Sequence, residues 1–293
     1  MEGMTAFTTE NAQALRGERD LIAVGTRGDN ERRRRHGTTT PFVRVFEVHG
    51  DAVPALLPAR ANAGEIRLAG RPASLEHAVA AVSAARRLAD AAVVPLTAYS
   101  LTDLFDAAFG SRDGFRTLLR ALRDAGLEII SEAPVDASDD VAALIGDAHD
   151  HGLLVPRLTV HGSPDDSTTD ARVALVLRAQ EIQRAVGGVR VFAPLPRVSS
   201  IGRPSTGYDD VKVIAMARLL AGDIDSIQVD WALYGPKLAQ VALTVGADDV
   251  DSVSPLEGDL GRRRSPIEEI RGNVAAAGLE PAERDAHFVM RAS

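Results

Sequence analysis

Eight short runs of β-forming residues alternate with helical runs along most of the chain, and this alternation constrains the fold more than any other feature. The predicted strands are Phe42–Val48, Gly64–Ala69, Val93–Ala98, Leu127–Ala133, Leu154–Val160, Val189–Pro194, Ser226–Trp231 and Asp249–Val253. Consecutive β–α units with right-handed crossovers form a parallel sheet, and eight such units close into a barrel. The sequence therefore predicts an α/β protein with a single (β/α)8 TIM-like barrel. An open doubly wound sheet is the alternative architecture.

The 293 residues suit one barrel-sized domain. We expect residues 1–14 to be a flexible N-terminus and residues 15–293 to form the barrel domain, with 15–40 as an N-terminal helical segment and 279–293 as a C-terminal tail. The helix in that N-terminal segment is expected to be interrupted near Gly25 to Gly28. Pro54 and Pro58 interrupt any helix between the first two strands, so this connection is predicted to be irregular.

Composition excludes several classes of function. The chain contains no cysteine, which removes disulfides, thiolate nucleophiles, cysteine-ligated zinc and ordinary iron–sulfur clusters. A formal net charge of −8 argues against non-specific nucleic-acid binding, which needs a basic face. The sequence has no apolar run of the roughly 18 residues that cross a bilayer and no signal-peptide pattern at its start. We therefore expect a cytoplasmic protein without a membrane or nucleic-acid partner.

The C-terminal third carries a specific set of motifs in a fixed order. These are GRPSTGYDDVKVIAMARLL at 202–220, QVDW at 228–231, GPKLAQVAL at 235–243 and GADD at 246–249. Together they resemble the corresponding motifs of aminofutalosine synthase, dehypoxanthine futalosine cyclase and FO synthase. These are radical S-adenosylmethionine (radical SAM) enzymes, and the first two serve the futalosine pathway to menaquinone. The resemblance implies a barrel of the radical SAM type.

The same resemblance locates a defect. Family members hold a [4Fe–4S] cluster on three cysteines of a CxxxCxxC loop after the first strand, and the cluster binds S-adenosylmethionine. The corresponding segment here, Gly50 to Gly64, contains DAVPALLPAR and no thiolate. The glycine-rich strand end expected near the third strand is also missing, and only Glu257 remains of a paired-Glu motif. We therefore expect a cysteine-less, degenerate member with no iron–sulfur cluster and no S-adenosylmethionine.

Candidate catalytic residues follow from the barrel prediction, because function in such barrels lies at the carboxyl ends of the strands. The candidates are Glu47, His49, His161 and Asp230. Glu47, His49 and His161 also offer oxygen and nitrogen ligands for a metal, but no HxH or HExxH spacing supports one, so we predict no metal site. A hydrogen-bonded polar interior beneath the barrel mouth is the alternative interpretation.

Candidate ligand-binding residues lie on the later strands and loops. They are Arg157, Arg203, Ser205, Thr206, Gln228 and Asp230. Gln228 and Asp230 share one strand face, and the resemblance implies that this strand faces the substrate, where they could bind a ribose or a base edge. A mutually satisfied polar pair is the alternative. Ser205 and Thr206 precede a helix and either cap it or leave its free amides to hold an anion.

Three hypotheses about function remain open from the sequence. The leading one is a non-radical pseudoenzyme, partner or regulator in menaquinone biosynthesis that binds a nucleoside-like small molecule. The second is a cofactor-independent or metal-assisted lyase or hydrolase acting on a futalosine-like nucleoside. The third is a structural subunit that pairs with a cluster-bearing paralogue or with itself.

Overall fold

The structure is a computed structural model that describes residue 15 and residues 17–162, 168–198, 207–256 and 266–291. Its helices and strands follow one another in the order α1 Leu21–His36, β1 Thr39–His49, β2 Glu65–Ala69, α2 Leu75–Ala92, β3 Leu96–Ser100, α3 Leu101–Ala107, α4 Arg112–Asp124, β4 Ile129–Pro134, α5 Val141–Asp150, β5 Arg157–Val160, α6 Thr169–Val186, β6 Val191–Pro196, α7 Gly207–Leu220, β7 Ser226–Asp230, α8 Trp231–Leu243, β8 Asp249–Val253, α9 Pro266–Ala276 and β9 Glu280–Glu283.

Strands β1 to β8 form a closed parallel barrel, as the sequence predicts. Each strand pairs in parallel with the next, and β1 closes the ring by pairing with both β2 and β8. In these pairings Val45 of β1 lies opposite Glu65 of β2, and Phe42 of β1 lies opposite Val250 of β8. The described residues contain no helix that is both long and apolar enough to cross a membrane.

The side chains of β2 and β8 alternate between an apolar and a charged face. Ile66 and Leu68 are fully buried in the main hydrophobic cluster, which the surrounding helices complete. Glu65 and Arg67 lie on the other face of β2, and Asp251 in β8 forms an ion pair with Arg67. Because strand side chains alternate with a period of two, one face supplies the apolar core while the other lines the lumen with charge. The lumen is thus polar, whereas bulky branched residues usually fill such barrels.

The long strand β1 carries two neighbours along one edge. Residues 39–42 pair with β9, and residues 45–49 pair with β2. The chain after β9 continues beneath the barrel, where the guanidinium of Arg284 lies 4.2 Å from the centre of the Phe288 ring. Arg284 also forms two hydrogen bonds to Asp249. The segment predicted as a C-terminal tail therefore contributes a strand and packs against the N-terminal end of the barrel.

Helix α1 is continuous, so the predicted interruption at Gly25 to Gly28 is wrong. Both glycines are buried on the packed face of the helix. A Cβ atom at Gly28 would overlap the backbone carbonyl oxygen of Val245. Glycine weakens a helix on its own, but here it permits a close approach whose packing outweighs that cost.

Two local features differ from the sequence-based expectations. Trp231, predicted as the last residue of β7, instead begins α8, and Asp230 caps that helix by accepting a hydrogen bond from the backbone N–H of Leu233 at 2.9 Å. Helix α3 follows β3 directly and was not predicted. The connection 50–64 is irregular, as its two prolines indicate.

Candidate functional site

A cavity of about 400 Å³ opens at the carboxyl ends of the barrel strands. Every strand of the barrel contributes at least one lining residue within it or directly after it, from Glu47 in β1 to Ser252 in β8. We call this space the mouth cavity. Its volume falls in the range of pockets that hold small organic molecules.

A buried ion cluster forms the floor of the mouth cavity. Asp251 accepts hydrogen bonds from Arg67 Nη1 at 3.1 Å and Nη2 at 2.9 Å, and from Arg157 Nη1. Burial alone would raise the pKa of Asp251, but the charges of Arg157 and Arg67 hold that pKa well below its usual range. Asp251 is therefore an anion at neutral pH and cancels part of the positive charge of the two guanidinium groups.

Below this floor a network of hydrogen-bonded polar side chains continues towards the N-terminal end of the barrel. Arg67 Nε donates to Glu65 at 2.7 Å, and the hydroxyl of Thr97 donates to the same carboxylate at 2.6 Å. Gln228 donates through Nε2 to Asp249 at 2.7 Å. These buried side chains hold one another in place, which gives the floor a fixed geometry.

A second ion cluster lies at the rim. Arg197 Nε is 2.7 Å from the Glu132 carboxylate, and Arg197 Nη1 is 3.4 Å from Asp230. Asp230 also accepts from the Ser252 hydroxyl at 3.1 Å. Since Asp230 caps α8 as well, its carboxylate links three elements of the rim.

Two further side chains of the wall are electrostatically perturbed. Burial raises the pKa of Tyr99 to about 12, and the nearby charge of Asp51 acts in the same direction. Burial also raises the pKa of Asp103 above its usual range, against the opposing charge of Arg71. Titratable groups perturbed in this way within a cleft are typical of functional sites.

The structure brings some of the predicted site residues together and separates others. Glu47, Arg157 and Asp230 line the mouth cavity. His49 does not line it; the side chain is largely exposed, with Nε2 3.7 Å from the Glu47 carboxylate. His161 is also exposed outside the cavity, and its backbone N–H donates to Asp136 at 2.8 Å.

The other predicted ligand-binding residues lie elsewhere. Gln228 lies beneath the floor, beside a second cavity of about 20 Å³ that has room for little more than one water molecule. Arg203, Ser205 and Thr206 lie outside the described residues, as does Glu257. The described part of the chain contains no group of three or more His, Cys, Asp or Glu side chains arranged to hold a metal ion.

Sequence reasoning missed several lining or floor residues, among them Arg67, Tyr99, Asp103 and Asp251. The sequence does contain a pattern that indicates Asp251. Asp249 and Asp251 alternate with valine in β8, which is typical of a strand with one polar face. No comparable pattern marks Tyr99, since its role depends on where β3 ends.

The connection after β1 does not fit the iron–sulfur cluster of the radical SAM barrel. Val53 and Leu57 pack against the hydrophobic cluster, and Ala61 forms an antiparallel bridge with Leu256. No residue of this segment carries a thiolate, the ligand that such clusters require.

Comparisons with known proteins agree with the motifs. Residues 192–293 match the family model for the CofH/MqnC C-terminal region. The chain is 30% identical to the 5-amino-6-(D-ribitylamino)uracil–L-tyrosine 4-hydroxyphenyl transferase of Archaeoglobus fulgidus over 220 residues, or 66% of this chain and 64% of that protein. It is 27% identical to the aminodeoxyfutalosine synthase of Streptomyces coelicolor over 232 residues, or 67% of this chain and 59% of that protein. The chain thus spans less than two thirds of the length of these relatives.

Solved structures with the same fold include methylornithine synthase PylB, with a TM-score of 0.64 and 14% identity over 96% of both chains. The hydrogenase maturase HydG gives a TM-score of 0.60 and 12% identity over 95% of this chain and 72% of that one. At these identities the likeness shows the fold alone. The resemblance drawn from the sequence is therefore confirmed: the C-terminal third matches the CofH/MqnC family model, and the chain, which contains no cysteine, is similar to the transferase and to the aminodeoxyfutalosine synthase.

Proposed function

We propose that this chain is a non-radical pseudoenzyme, a partner or regulator associated with menaquinone biosynthesis, that binds a nucleoside-like small molecule in the mouth cavity. The observation that carries the proposal is a cavity to which all eight strands contribute, with a fixed ionic floor, in a barrel without a single thiolate. The scaffold for holding a ligand is complete, while the means of starting radical chemistry is missing.

The polar groups of the cavity suit a hydroxylated ligand. The carboxylates of Glu47, Glu132 and Asp230 line it, and carboxylates accept hydrogen bonds from ribose or ribityl hydroxyl groups. One relative supports this chemistry, because the Archaeoglobus fulgidus transferase is named after 5-amino-6-(D-ribitylamino)uracil, a compound with a hydroxylated ribityl group. The cavity volume is also large enough for a nucleoside.

Titration calorimetry with adenosine, uridine and futalosine tests the ligand. We expect saturable binding of at least one of these nucleosides to the wild-type protein and weaker binding to Asp230→Asn, since this change removes an anionic acceptor from the rim. Asp139→Asn is the matched control, because the Asp139 side chain is fully exposed and pairs with Arg178 away from the cavity. Absence of binding for all three nucleosides would overturn the ligand proposal.

Anaerobic reconstitution with iron and sulfide tests the non-radical part. We expect no bound cluster and no cleavage of S-adenosylmethionine under reducing conditions. A stoichiometric 4Fe–4S absorption band on the purified chain would refute this part of the proposal. Co-purification from the native cell tests for a cluster-bearing paralogue as partner, and a solitary monomer would count against that role.

A second candidate function, cofactor-independent hydrolysis or elimination on a futalosine-like nucleoside, is favoured by one observation. Asp103 lines the mouth cavity with a raised pKa, and the Glu132 charge contributes to the rise. Neighbouring carboxyl groups whose proton affinities differ can act as an acid and a base. Release of base from futalosine by metal-stripped protein, lost in Asp103→Asn, would support catalysis. Binding without turnover would leave the pseudoenzyme as the better description.

A further inference from the structure

The cavity of about 20 Å³ beside Gln228 lies directly under the floor of the mouth cavity. Arg67, Ser131 and Arg157 line both spaces, so these side chains form the partition between them. We call the lower space the lumen cavity. On its other side it is lined by Ala286 and Phe288, from the segment after β9. Every lining residue except Phe288 is buried, so the lumen cavity is an interior space of the barrel.

The side-chain amide of Gln228 has a fixed orientation in the wall of the lumen cavity. Its Nε2 donates to the Asp249 carboxylate at 2.7 Å, and because a carboxylate only accepts, the NH2 end of the amide has to face Asp249. The Oε1 atom is buried and has no hydrogen-bond partner among the described residues, although Gln228 is only 2% exposed. A buried acceptor of this kind needs a donor from the space that it faces.

The charges around the lumen cavity balance. Three guanidinium groups and three carboxylates line it or bond directly to its lining residues: those of Arg67, Arg157, Arg284, Glu65, Asp249 and Asp251. Each guanidinium group donates to at least one of these carboxylates. An ion of either sign would therefore bring an unmatched charge into the interior, which is unfavourable. The balance favours a neutral occupant.

The size and the polar lining of the lumen cavity suit water. One water molecule needs roughly 10–15 Å³ of such space, and an internal water usually forms about three hydrogen bonds. Gln228 Oε1 can accept one of them. The Ser131 hydroxyl donates to Thr97 at 3.1 Å and so keeps lone pairs that can accept a second. The guanidinium N–H groups of the partition are donors for the third.

We infer that the lumen cavity binds one water molecule, which donates to Gln228 Oε1 and to the Ser131 hydroxyl and accepts from a guanidinium group of the partition. This water joins β7 to the floor of the mouth cavity, and Gln228 is its anchor. The role differs from the contact with a ribose or a base edge that the sequence suggested for Gln228. It does not depend on which molecule, if any, occupies the mouth cavity.

The surroundings of this water make its exchange with bulk solvent slow. It leaves only when the partition above it opens or when the segment carrying Ala286 and Phe288 moves away below it. Local openings of this kind take on the order of microseconds or longer. Oxygen-17 magnetic relaxation dispersion detects water with such residence times and counts it, so the lumen water should contribute to the dispersion of the wild-type protein.

A crystal structure of the full chain, from crystals grown with and without sodium bromide, tests the identity of the occupant. We expect a single water peak about 2.7–3.2 Å from Gln228 Oε1 in both crystals, with no anomalous bromide signal in the cavity. A bromide peak would overturn the neutral occupant. A lumen cavity without density, or a Gln228 amide whose Oε1 bonds to a protein donor instead, would overturn the water site.

Gln228→Met tests the anchor by relaxation dispersion, because it replaces the amide with an unbranched apolar side chain of similar length. We expect the count of long-lived water to fall by about one molecule. Gln180→Met is the matched control, since Gln180 is 4% exposed and both ends of its amide bond to Asp223, outside the barrel lumen. The control should keep the wild-type count.

An unchanged count in Gln228→Met, or an equal loss in Gln180→Met, would overturn the role of Gln228. If Gln228→Met does not fold, the wild-type crystals still decide whether the water is present and which atoms hold it. Neither measurement involves a nucleoside, so the water site and the proposed ligand fail independently of each other.

Discussion

Replacing Asp251 with asparagine should destabilise the barrel strongly. Asp251 is almost completely buried and accepts three hydrogen bonds from Arg67 and Arg157. The amide keeps the shape of the carboxylate, but it removes the negative charge that both guanidinium groups share and turns one acceptor into a donor. Breaking a buried ion pair costs about 3–5 kcal/mol. This is a large part of the 5–15 kcal/mol of unfolding free energy typical of a domain.

Urea unfolding followed by the fluorescence of Trp231, the single tryptophan, measures this loss. The control is Asp106→Asn, because Asp106 pairs with Arg71 at 3.2 Å with both side chains more than half exposed. An exposed pair contributes at most about 1 kcal/mol. If Asp251→Asn lowers the unfolding free energy no more than the control does, the ion pairs of Asp251 with Arg67 and Arg157 do not stabilise the barrel more than an exposed pair does.

The pH dependence of the same difference gives a second check. The pKa of Asp251 is held well below its ordinary value in the fold, so its contribution to stability is present above the unfolded-state pKa of about 3.9. The contribution is lost as the pH falls from there towards the folded-state pKa. The gap between wild type and Asp251→Asn should therefore be constant from pH 8 to about pH 5 and shrink below about pH 4.

Three further changes test other parts of the molecule. Gly28→Ala should lower the unfolding free energy by about 1–3 kcal/mol, because its Cβ overlaps a backbone carbonyl, whereas Gly272→Ala, with open space around it, should be neutral or stabilising in thermal denaturation. Phe288→Ala should cost about 1–2 kcal/mol in urea unfolding through the lost contact with Arg284, and no loss would contradict a closing role for this segment. Asp103→Asn should melt above wild type at pH 7 and approach it below about pH 4, because the raised pKa of Asp103 makes its charged form unfavourable in the fold; an equal melting temperature at both pH values would refute this.

Part of the candidate site could be predicted from the sequence. Glu47, Arg157 and Asp230 were found by position alone, because parallel strands bring their carboxyl ends to one face of the barrel. His49 and His161 also lie at the carboxyl ends of their strands, but both are outside the cavity. A side chain at a strand end can point in either direction once the regular pairing stops. Tyr99 was identified only from the structure, where its buried hydroxyl group has no hydrogen-bond partner among the described residues.

The sequence by itself indicated the barrel and the family resemblance, and it established the absence of thiolates. All three depend on local or compositional information: the spacing of apolar residues, a linear motif and a residue count. The tertiary structure alone decided which charges meet in the lumen, as Arg67 and Asp251 are 184 residues apart along the chain. It also decided that two glycines pack inside an unbroken helix and that the residues after β9 cover the N-terminal end of the barrel. These outcomes depend on contacts between distant segments, and no local pattern encodes the partner in such a contact.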